Sequence, residues 1–463
     1  MSKFRFVTLA FLFPLWTMAQ SETLDWNTFT RWIGEYHPIA AQAQLTADIG
    51  RATVRSARGG FDPVAYASRN QKVYNEISYY QREMMGVDIP THGGVSFHGN
   101  FERNSGTYLN PEKFVPSAGL FSAGVRVNVG QGLLIDERRR ALWQAKAFRE
   151  QTLEQQRLQL NNLYLDAANV YWEWSAANEN YSALERGLAV SMERFEGVRS
   201  SFQVGELPAI DTIEAYAQMQ SILFRLRDQE NILFNLKQQV ATFLWDEEGM
   251  PLELNDNVVP QPLDTPFDLS LESPYEGVNS HPALQSLDRQ LEILNIERRW
   301  KSEQLRPVLF LQYNFLNETF GGFEGNGFFE NNYQFGGGFV FPLFLRKERG
   351  ELRIAKAKLQ QTDLERELLE LRLRNTLEAE INSLRIVSDQ VLIFTDNVKN
   401  LRALLDGEQR RFDIGESSIF LLNARETTLI DGILTLNRTR SREKINEAKV
   451  RHASGNAWQF LLQ

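Results

Sequence analysis

Residues 202–215 read FQVGELPAIDTIEA, which has the form of a helix end, a glycine turn and a new helix start. Residues 412–424 read FDIGESSIFLLNA, a close copy placed 210 positions later. The central glycine of each copy can take the left-handed conformation that ends a helix and lets the chain reverse. The sequence therefore predicts two helical hairpins with the same kind of tip.

The chain around these tips also repeats. A His-Pro pair opens a helical pattern at residues 37–38 and 281–282, and an Ala-Lys-Ala triplet at residues 145–147 recurs at 355–357. From the triplet to the glycine turn the two halves align without a gap, whereas the interval before it is 34 residues longer in the first half. We therefore predict helices of fixed length after the triplet and loops of variable length before it.

Apolar residues recur every seven positions before the first glycine turn. The series consists of Leu153, Leu160, Ala167, Trp174, Tyr181, Leu188, Phe195 and Phe202. A companion series offset by three or four positions is also mostly apolar, which is the stripe of a coiled coil. Because no proline interrupts the segment, we predict one helix over about 137–204, on the order of 100 Å long. The second half repeats this pattern, and an antiparallel helix returns after each glycine.

Four shorter segments change to a period of two. They are FDPVAYASRNQKVYN (61–75), LFSAGVRVNVG (120–130), VLFLQYNF (308–315) and YQFGGGFVF (333–341). Each has the length of a strand that crosses an outer membrane, with aromatic residues near its ends. A soluble sheet is the alternative interpretation. Residues 80–118 link the first pair and leave room for one additional hairpin, and the glycine-rich FGGFEGNGFFENN (320–332) links the second pair.

The N-terminus carries the features of a secretory signal. Lys3 and Arg5 precede the apolar run FVTLAFLFPLW, and small residues follow up to Ala19. We predict cleavage near Ala19 or Gln20. A membrane anchor is the alternative, but the apolar run is short for a span. No later segment has the length and apolarity of a transmembrane helix, which favours membrane strands in an exported chain.

Composition excludes several classes of protein. The formal net charge is −9, and removal of the two basic residues of the signal gives 48 basic against 59 acidic residues, or −11. This balance argues against binding of nucleic acid. The chain has no cysteine. A lipid anchor, a disulfide and a zinc-thiolate site are therefore excluded.

These features divide the chain into four parts. The predicted boundaries are a signal peptide at 1–20, a first structural repeat at 21–246, a Pro-rich equatorial connector at 247–280 and a second structural repeat at 281–463. Each repeat opens with a helix. We then expect a strand pair at 61–135 with a helical hairpin at 137–246, and a strand pair at 307–345 with a helical hairpin at 347–463. Four strands with open edges leave backbone groups unpaired in lipid, so several chains must share one barrel.

This order of parts resembles the TolC-like outer-membrane efflux protein family over essentially the whole mature chain. The fold class we expect is mixed and mainly α, with long antiparallel coiled-coil hairpins plus four transmembrane β-strands per chain. The resemblance implies a homotrimer with a twelve-stranded β-barrel in the lipid of the outer membrane of a Gram-negative bacterium. It also implies a twelve-helix α-barrel in the periplasm.

The resemblance further implies a passive exit duct for small molecules or secreted proteins. Such a duct serves a tripartite efflux pump or a type I secretion system. Its partners are a periplasmic membrane-fusion adaptor and an inner-membrane pump of the resistance-nodulation-division or ABC type. The alternative is a surface or periplasmic coiled-coil protein with a structural or adhesive role and no conducting lumen, which has no need for strand pairs in both halves.

The family's tip motif gives the candidate adaptor-docking residues. They are Val204, Gly205, Glu206, Ile414, Gly415 and Glu416. The resemblance implies that these tips contact the helical hairpins of the adaptor. A helix cap without any partner is the alternative, since glycine fits both roles.

Candidate residues for a periplasmic gate follow each tip. Asp211 stands six positions after the first glycine and Glu214 one turn further, where the family often has acidic rings. Charges that satisfy the helix dipole are the alternative interpretation. The matching positions of the second half are Leu421 and Ala424, which leaves an apolar or differently placed constriction open.

The sequence predicts no enzyme. We find no catalytic constellation, no nucleotide-binding loop and no cofactor site, and we expect no metal site. His92 and His98 share a segment that we interpret as an external loop, where chance proximity competes with metal binding. His37 and His281 precede prolines at helix starts, which favours structural roles.

Overall fold

The computed structural model describes residues 22–255, 257–265, 274–318 and 332–462. The predicted signal peptide, nearly all of the glycine-rich link and part of the connector lie outside the described residues. The helices are α1 (Trp26–Tyr36), α2 (Pro38–Arg58), α3 (Glu137–Gln203), α4 (Ala209–Ala241), α5 (Pro282–Glu303), α6 (Arg346–Asp413) and α7 (Ile419–Ala453). The strands are β1 (Glu22–Leu24), β2 (Val64–Tyr74), β3 (Ile77–Pro90), β4 (Val95–Ser105), β5 (Leu120–Asn128), β6 (Val258–Pro260), β7 (Val308–Asn317) and β8 (Tyr333–Val340).

The two longest helices match each other in length. Helix α3 has 67 residues and α6 has 68, so each is about 100 Å long. Helix α3 begins where the Asp136 side chain accepts a hydrogen bond from the Arg139 backbone N–H at 2.8 Å, as an N-cap residue does. Leu160, Ala167 and Trp174 are all buried. The predicted helix over about 137–204 is confirmed, and the middle of its seven-residue stripe is buried.

The helices form a layer four helices wide. Helices α3 and α6 run its full length, α2 and α4 pack on α3, and α5 and α7 lie between α3 and α6. Helix α6 therefore contacts one short helix near the sheet and one near the tips, whereas α3 contacts two at each end. Among the described residues, no helix combines the length and the apolar character that a membrane crossing requires.

The main sheet contains six strands in the order β2-β3-β4-β5-β7-β8, and every neighbouring pair is antiparallel. The segment 80–118 supplies most of β3 and all of β4, so the sheet has the four predicted strands and one further hairpin in the segment where the sequence left room for it. Its alternation is hard to read because Met84 lies on the otherwise polar face, directly beside Met85 on the apolar face. A period of two is visible only when the neighbouring strands are aligned.

The largest apolar core lies half-way along α3. Tyr171 and Trp174 are fully buried there. The Tyr171 hydroxyl donates to the carbonyl of Leu24 at 2.7 Å and accepts from the backbone N–H of Gln261 at 3.1 Å. One side chain thus ties α3 to β1 and to the connector, which meet in the parallel β1-β6 pair.

The two His-Pro pairs begin α2 and α5 with the same cap. The Nδ1 atom of His37 accepts from the Ile39 backbone N–H at 3.1 Å, and that of His281 accepts from Ala283 at 3.2 Å. Proline follows each histidine at the first helical position, where no backbone donor is needed. Both caps require a neutral ring, because a protonated Nδ1 cannot accept.

Acid is expected to destabilise the fold through His281. Burial lowers its pKa from 6.5 to about 4, and the nearby His452 adds to this effect. Since the folded pKa is the lower one, neutral His281 favours folding above pH 6.5, and this contribution is lost as pH falls from 6.5 towards 4. Over this pH interval the free energy of unfolding is expected to fall by about 3 kcal/mol. Denaturant unfolding at neutral pH and near pH 4 measures the loss.

The matched control for this prediction is His281→Asn. Asparagine also caps helices but does not titrate in this range. The variant should lose less stability than the parent over the same pH interval. An equal loss in both proteins would assign the acid sensitivity to other groups.

Candidate functional site: the two hairpin tips

The first tip joins α3 to α4 with a glycine in the left-handed region. Gly205 has φ of 83°. Its N–H donates to the carbonyl of Phe202 at 3.0 Å, and the N–H of Glu206 donates to Ser201 at 2.9 Å. These two bonds define a Schellman motif, which satisfies carbonyls that the helix end leaves free.

The second tip repeats this geometry between α6 and α7. Gly415 has φ of 77°. Its N–H donates to Phe412 at 3.0 Å, and the N–H of Glu416 donates to Arg411 at 2.8 Å. The predicted glycine turns are therefore confirmed as structures, and Glu206 and Glu416 are exposed on them.

The two tips lie side by side. Val198 of α3, Ala215 of α4, and Ile419 and Leu422 of α7 form one buried cluster. Because the cluster joins both hairpins, the two turns lie level at one end of the helical layer.

The tips also expose apolar side chains. Val204 and Ile414 precede the two glycines and are 72% and 70% exposed. Ile210, Ile213 and Phe420 follow the turns and are nearly as exposed. An exposed apolar surface of this kind is typical of protein–protein contacts.

The four gate candidates occupy different environments. Asp211 and Glu214 are half-buried on the first two turns of α4, whereas Leu421 and Ala424 are exposed on α7. Positions that match in the repeat therefore differ in burial as well as in charge. Their role in a gate remains a prediction.

A buried ion pair joins the two hairpins about 15 Å behind the tips. Arg194 of α3 contacts the Glu426 carboxylate of α7 at 2.5 Å, and their side chains are 11% and 5% exposed. The same guanidinium also donates to the Asn423 side chain at 3.3 Å. Burial removes competing water, so this contact holds α3 and α7 in one arrangement.

Two polar contacts join α4 to α7 beside this pair. The Gln218 amide donates to the Thr427 hydroxyl at 2.9 Å. Arg225 lies 2.5 Å from the Asp431 carboxylate. Helix α7 is thus fastened to both helices of the first hairpin.

The second tip is stabilised by a buried carboxylate on α6. Glu408 accepts a hydrogen bond from the Ser417 hydroxyl, and Arg411 and Arg425 lie 3.8 and 3.7 Å from it. The Ser417 hydrogen bond lowers the pKa of Glu408 below its ordinary value, and the two arginines act in the same direction. The carboxylate therefore stays charged and joins α6, the turn and α7.

Similar solved structures are outer-membrane channels. The outer-membrane channel OprN superimposes with a TM-score of 0.69 at 15% identity, over 94% of this chain and 90% of that one. The open MtrE outer-membrane channel of Neisseria gonorrhoeae gives 0.68 at 15% identity, over 96% and 94%. The chain has a TolC-like channel fold. The outer-membrane protein VceC of Vibrio cholerae gives 0.66 at 14% identity, over 93% and 95%.

No family model and no curated protein matches the sequence. The TolC-like fold is thus evident in the order and geometry of the elements. The mainly helical fold predicted from the resemblance is confirmed.

The buried pair of this channel fold was missed in the sequence. At the 210-residue offset, Arg194 corresponds to Leu404 and Glu426 to Tyr216, so the repeat gives no indication of it. One signal was readable. Glu426 interrupts the apolar stripe of α7 one turn after Leu422, and a charge in a buried stripe needs a partner.

The two histidines assigned to an external loop lie elsewhere in the channel fold. His98 belongs to β4, where its Nε2 atom is 2.5 Å from the Asn314 side-chain oxygen of β7. His92 follows β3, at the end of the sheet near the helices, and its ring lies 4.0 Å from that of Phe61. The loop assignment is wrong because the β3-β4 hairpin was not recognised.

Proposed function

We propose that the chain is the outer-membrane exit duct of a tripartite efflux pump or a type I secretion system. One observation carries the proposal. Two helices of nearly equal length connect an antiparallel sheet with an apolar face at one end to two level glycine tips at the other. A length of about 100 Å suits a passage through the periplasm. A coiled-coil adhesin without a lumen needs no such sheet.

Three copies would form the duct in the outer membrane of a Gram-negative bacterium. The apolar face of the sheet would meet lipid, and the four-helix-wide layers would close into a twelve-helix tunnel. The similar structures that are outer-membrane channels support this assembly. Transport through the duct would be passive, and a pump of the resistance-nodulation-division or ABC type in the inner membrane would supply the energy.

The tips would dock a periplasmic membrane-fusion adaptor. In a trimer, the two level turns of each chain give six similar knobs around the tunnel mouth. Each knob presents an exposed aliphatic side chain, Val204 or Ile414, next to a glutamate, Glu206 or Glu416. A helical hairpin with apolar and basic residues would complement this surface.

Cell fractionation and sizing test the proposed function. The protein is expected in the outer-membrane fraction, and extraction in mild detergent should give a trimer. A soluble monomer in the periplasm would contradict the duct. A strain that relies on this protein alone for export should become drug-sensitive or secretion-defective when the protein is deleted.

Charges at the tips are expected to weaken adaptor docking. The double variant Val204→Asp, Ile414→Asp replaces the exposed aliphatic side chain of each tip by a carboxylate. It therefore removes an apolar contact and adds a negative charge beside the glutamate at both tips. The affinity for the adaptor should fall by about tenfold or more. Titration of the purified adaptor onto the detergent-extracted trimer measures this fall.

The control variant is Tyr108→Asp, which adds the same charge to an exposed position on the segment between β4 and β5, remote from the tips. Its affinity for the adaptor should equal that of the parent. Unchanged binding by the double tip variant would exclude the tips as the docking surface.

A further inference from the structure

The six-stranded sheet has an apolar face that extends across every strand. One register row crosses all six strands and consists of Ala65, Val87, Gly99, Ala123, Phe315 and Tyr333. The adjacent row on the same face consists of Ile89, Phe97, Val125, Tyr313 and Phe335. Rows of this kind are what a lipid-facing wall presents.

The opposite face of the sheet is mainly polar at its centre. Its central row contains Asp88, His98, Gly124, Asn314 and Gln334, and ends at Val64 on β2. A cleft of about 450 Å³ lies on this face and is lined by side chains of β2, β3, β4, β5 and β7. Polar side chains on one face and apolar side chains on the other are the arrangement of the wall of a water-filled membrane barrel.

The β3-β4 hairpin shares this arrangement with the other strands. Its side chains Met85, Val87, Ile89 and Phe97 are exposed on the apolar face, between 39% and 55% each. A hairpin that projects into water has no reason to align such side chains with those of β5. We infer that β3 and β4 belong to the membrane wall.

A row of charges bounds the apolar rows at the outer end of this hairpin. Arg69, Glu83 and Arg103 are register partners on β2, β3 and β4, two positions beyond Met85 and on the same face. Arg69 and Glu83 form an ion pair at 3.5 Å. Charged side chains at this level are expected where the wall leaves the hydrocarbon layer.

The two edge strands of the sheet run in opposite directions. Among its described strands, β2 and β8 lie at the edges. Because the sheet is antiparallel throughout and has an even number of strands, β2 and β8 run in opposite directions. An unpaired edge is not tolerated in lipid. The β8 edge of one copy can therefore pair in antiparallel fashion with the β2 edge of the next copy.

The width of the sheet matches that of the helical layer. Six strands about 4.8 Å apart and tilted by about 40° occupy about 38 Å of circumference. Four helices about 9–10 Å apart occupy nearly the same width. Four strands would occupy about 25 Å. Six strands thus let the barrel continue the tunnel without a change in diameter.

We propose that three copies of this chain close an eighteen-stranded barrel, with β8 of each copy paired to β2 of the next. The number of copies rests on the proposed function, and the number of strands rests on the sheet. A barrel of eighteen strands is about 1.5 times as wide as one of twelve. Its polar inner rows give water-soluble cargo a wide exit.

The first test asks whether the β3-β4 hairpin faces lipid. Because the chain has no cysteine, single variants can be labelled with a polarity-sensitive fluorophore in liposomes that contain lipids with brominated chains. Val87→Cys should be quenched as strongly as Ala123→Cys on β5. Asp88→Cys is the matched control on the inner face and should be quenched severalfold less.

The pattern of quenching separates this proposal from the proposed function. Quenching at position 123 without quenching at position 87 would place the hairpin outside the wall and overturn the eighteen-stranded barrel, while the duct itself would stand. No quenching at either position would overturn both proposals.

The second test asks which edges meet and how many copies take part. Two double variants, Ala65→Cys with Phe335→Cys and Ala67→Cys with Phe335→Cys, each place one cysteine on β2 and one on β8. Within one chain the two edge strands are separated by the whole width of the sheet, so the cysteines are too far apart to join. Oxidative or short-linker cross-linking should produce covalent trimers, and native mass measurement should give three copies. A mass that corresponds to two copies would overturn the proposal. The proposal would also be overturned if neither double variant, nor any variant with the cysteines moved along β2 or β8, formed cross-links.

Discussion

Replacing Glu426 by alanine is expected to loosen the tip end of the helical layer, which we propose is the tunnel mouth, and to destabilise this region by about 3–5 kcal/mol. The substitution leaves the Arg194 guanidinium in a site where its side chain is 11% exposed. Asn423, at 3.3 Å, would be its remaining described side-chain partner on α7. A buried charge without its counter-ion is costly, so α7 should move away from α3. Because α3 and α7 belong to different hairpins, their separation widens the mouth.

Single-channel conductance in planar bilayers and hydrogen exchange across residues 190–200 and 420–430 measure the two effects. Conductance and exchange should both rise in Glu426→Ala. The double variant Arg194→Leu, Glu426→Leu should recover most of the stability, since apolar residues can replace a buried pair at little cost. Recovery would show that the unpaired charge, and not the lost volume, drives the change.

An exposed ion pair on α3 supplies the control. Arg199 and Glu196 lie 3.3 Å apart with side chains 52% and 64% exposed. Glu196→Ala should change the stability by less than about 1 kcal/mol and leave the conductance unaltered. If Glu426→Ala behaved in the same way, the buried pair would have no part in holding the mouth closed.

The long hairpins were predictable because their determinants are local. A seven-residue apolar period without proline specifies a long helix, and a glycine at its end specifies the turn. The prediction of a helix over about 137–204 agrees with α3 at Glu137–Gln203. The His-Pro pairs likewise marked the starts of α2 and α5.

The contacts between the hairpins were not predictable because they are non-local. Arg194 and Glu426 are 232 positions apart. The repeat is also misleading here, since it relates each partner to an uncharged residue. A duplicated sequence reveals the helices and turns that the two halves share. The contact between the halves depends on residues that differ between them.

The hairpin of β3 and β4 could not be assigned firmly from the sequence for a related reason. In β3, Met84 and Met85 point to opposite faces, so the segment alone shows no clean alternation. Pairing with β4 places Met85 opposite Phe101 and Met84 opposite Glu102, which separates the faces. Strand identity in this sheet therefore depends on the neighbours as much as on the sequence of the strand.

Proline at the tip glycines is expected to abolish export. Gly415 has φ of 77°, whereas proline is fixed near −65°. Proline also removes the N–H that donates to Phe412. The end of α6 and the start of α7 must then rearrange, at a cost of about 3 kcal/mol or more. Gly205→Pro should act in the same way on the first hairpin.

Export assays in a strain that relies on this duct alone measure the effect, with the amount of trimer in the outer membrane as a parallel readout. Gly415→Asn should retain most of the activity, because asparagine tolerates the left-handed conformation better than other residues. Gly407→Ala is the control within α6: a side chain there meets open space, and alanine favours a helix interior. Normal export by Gly415→Pro and Gly205→Pro, with normal trimer levels, would show that the shape of the tips is not needed for docking. Loss of export with trimer retained would locate the defect at the tip itself.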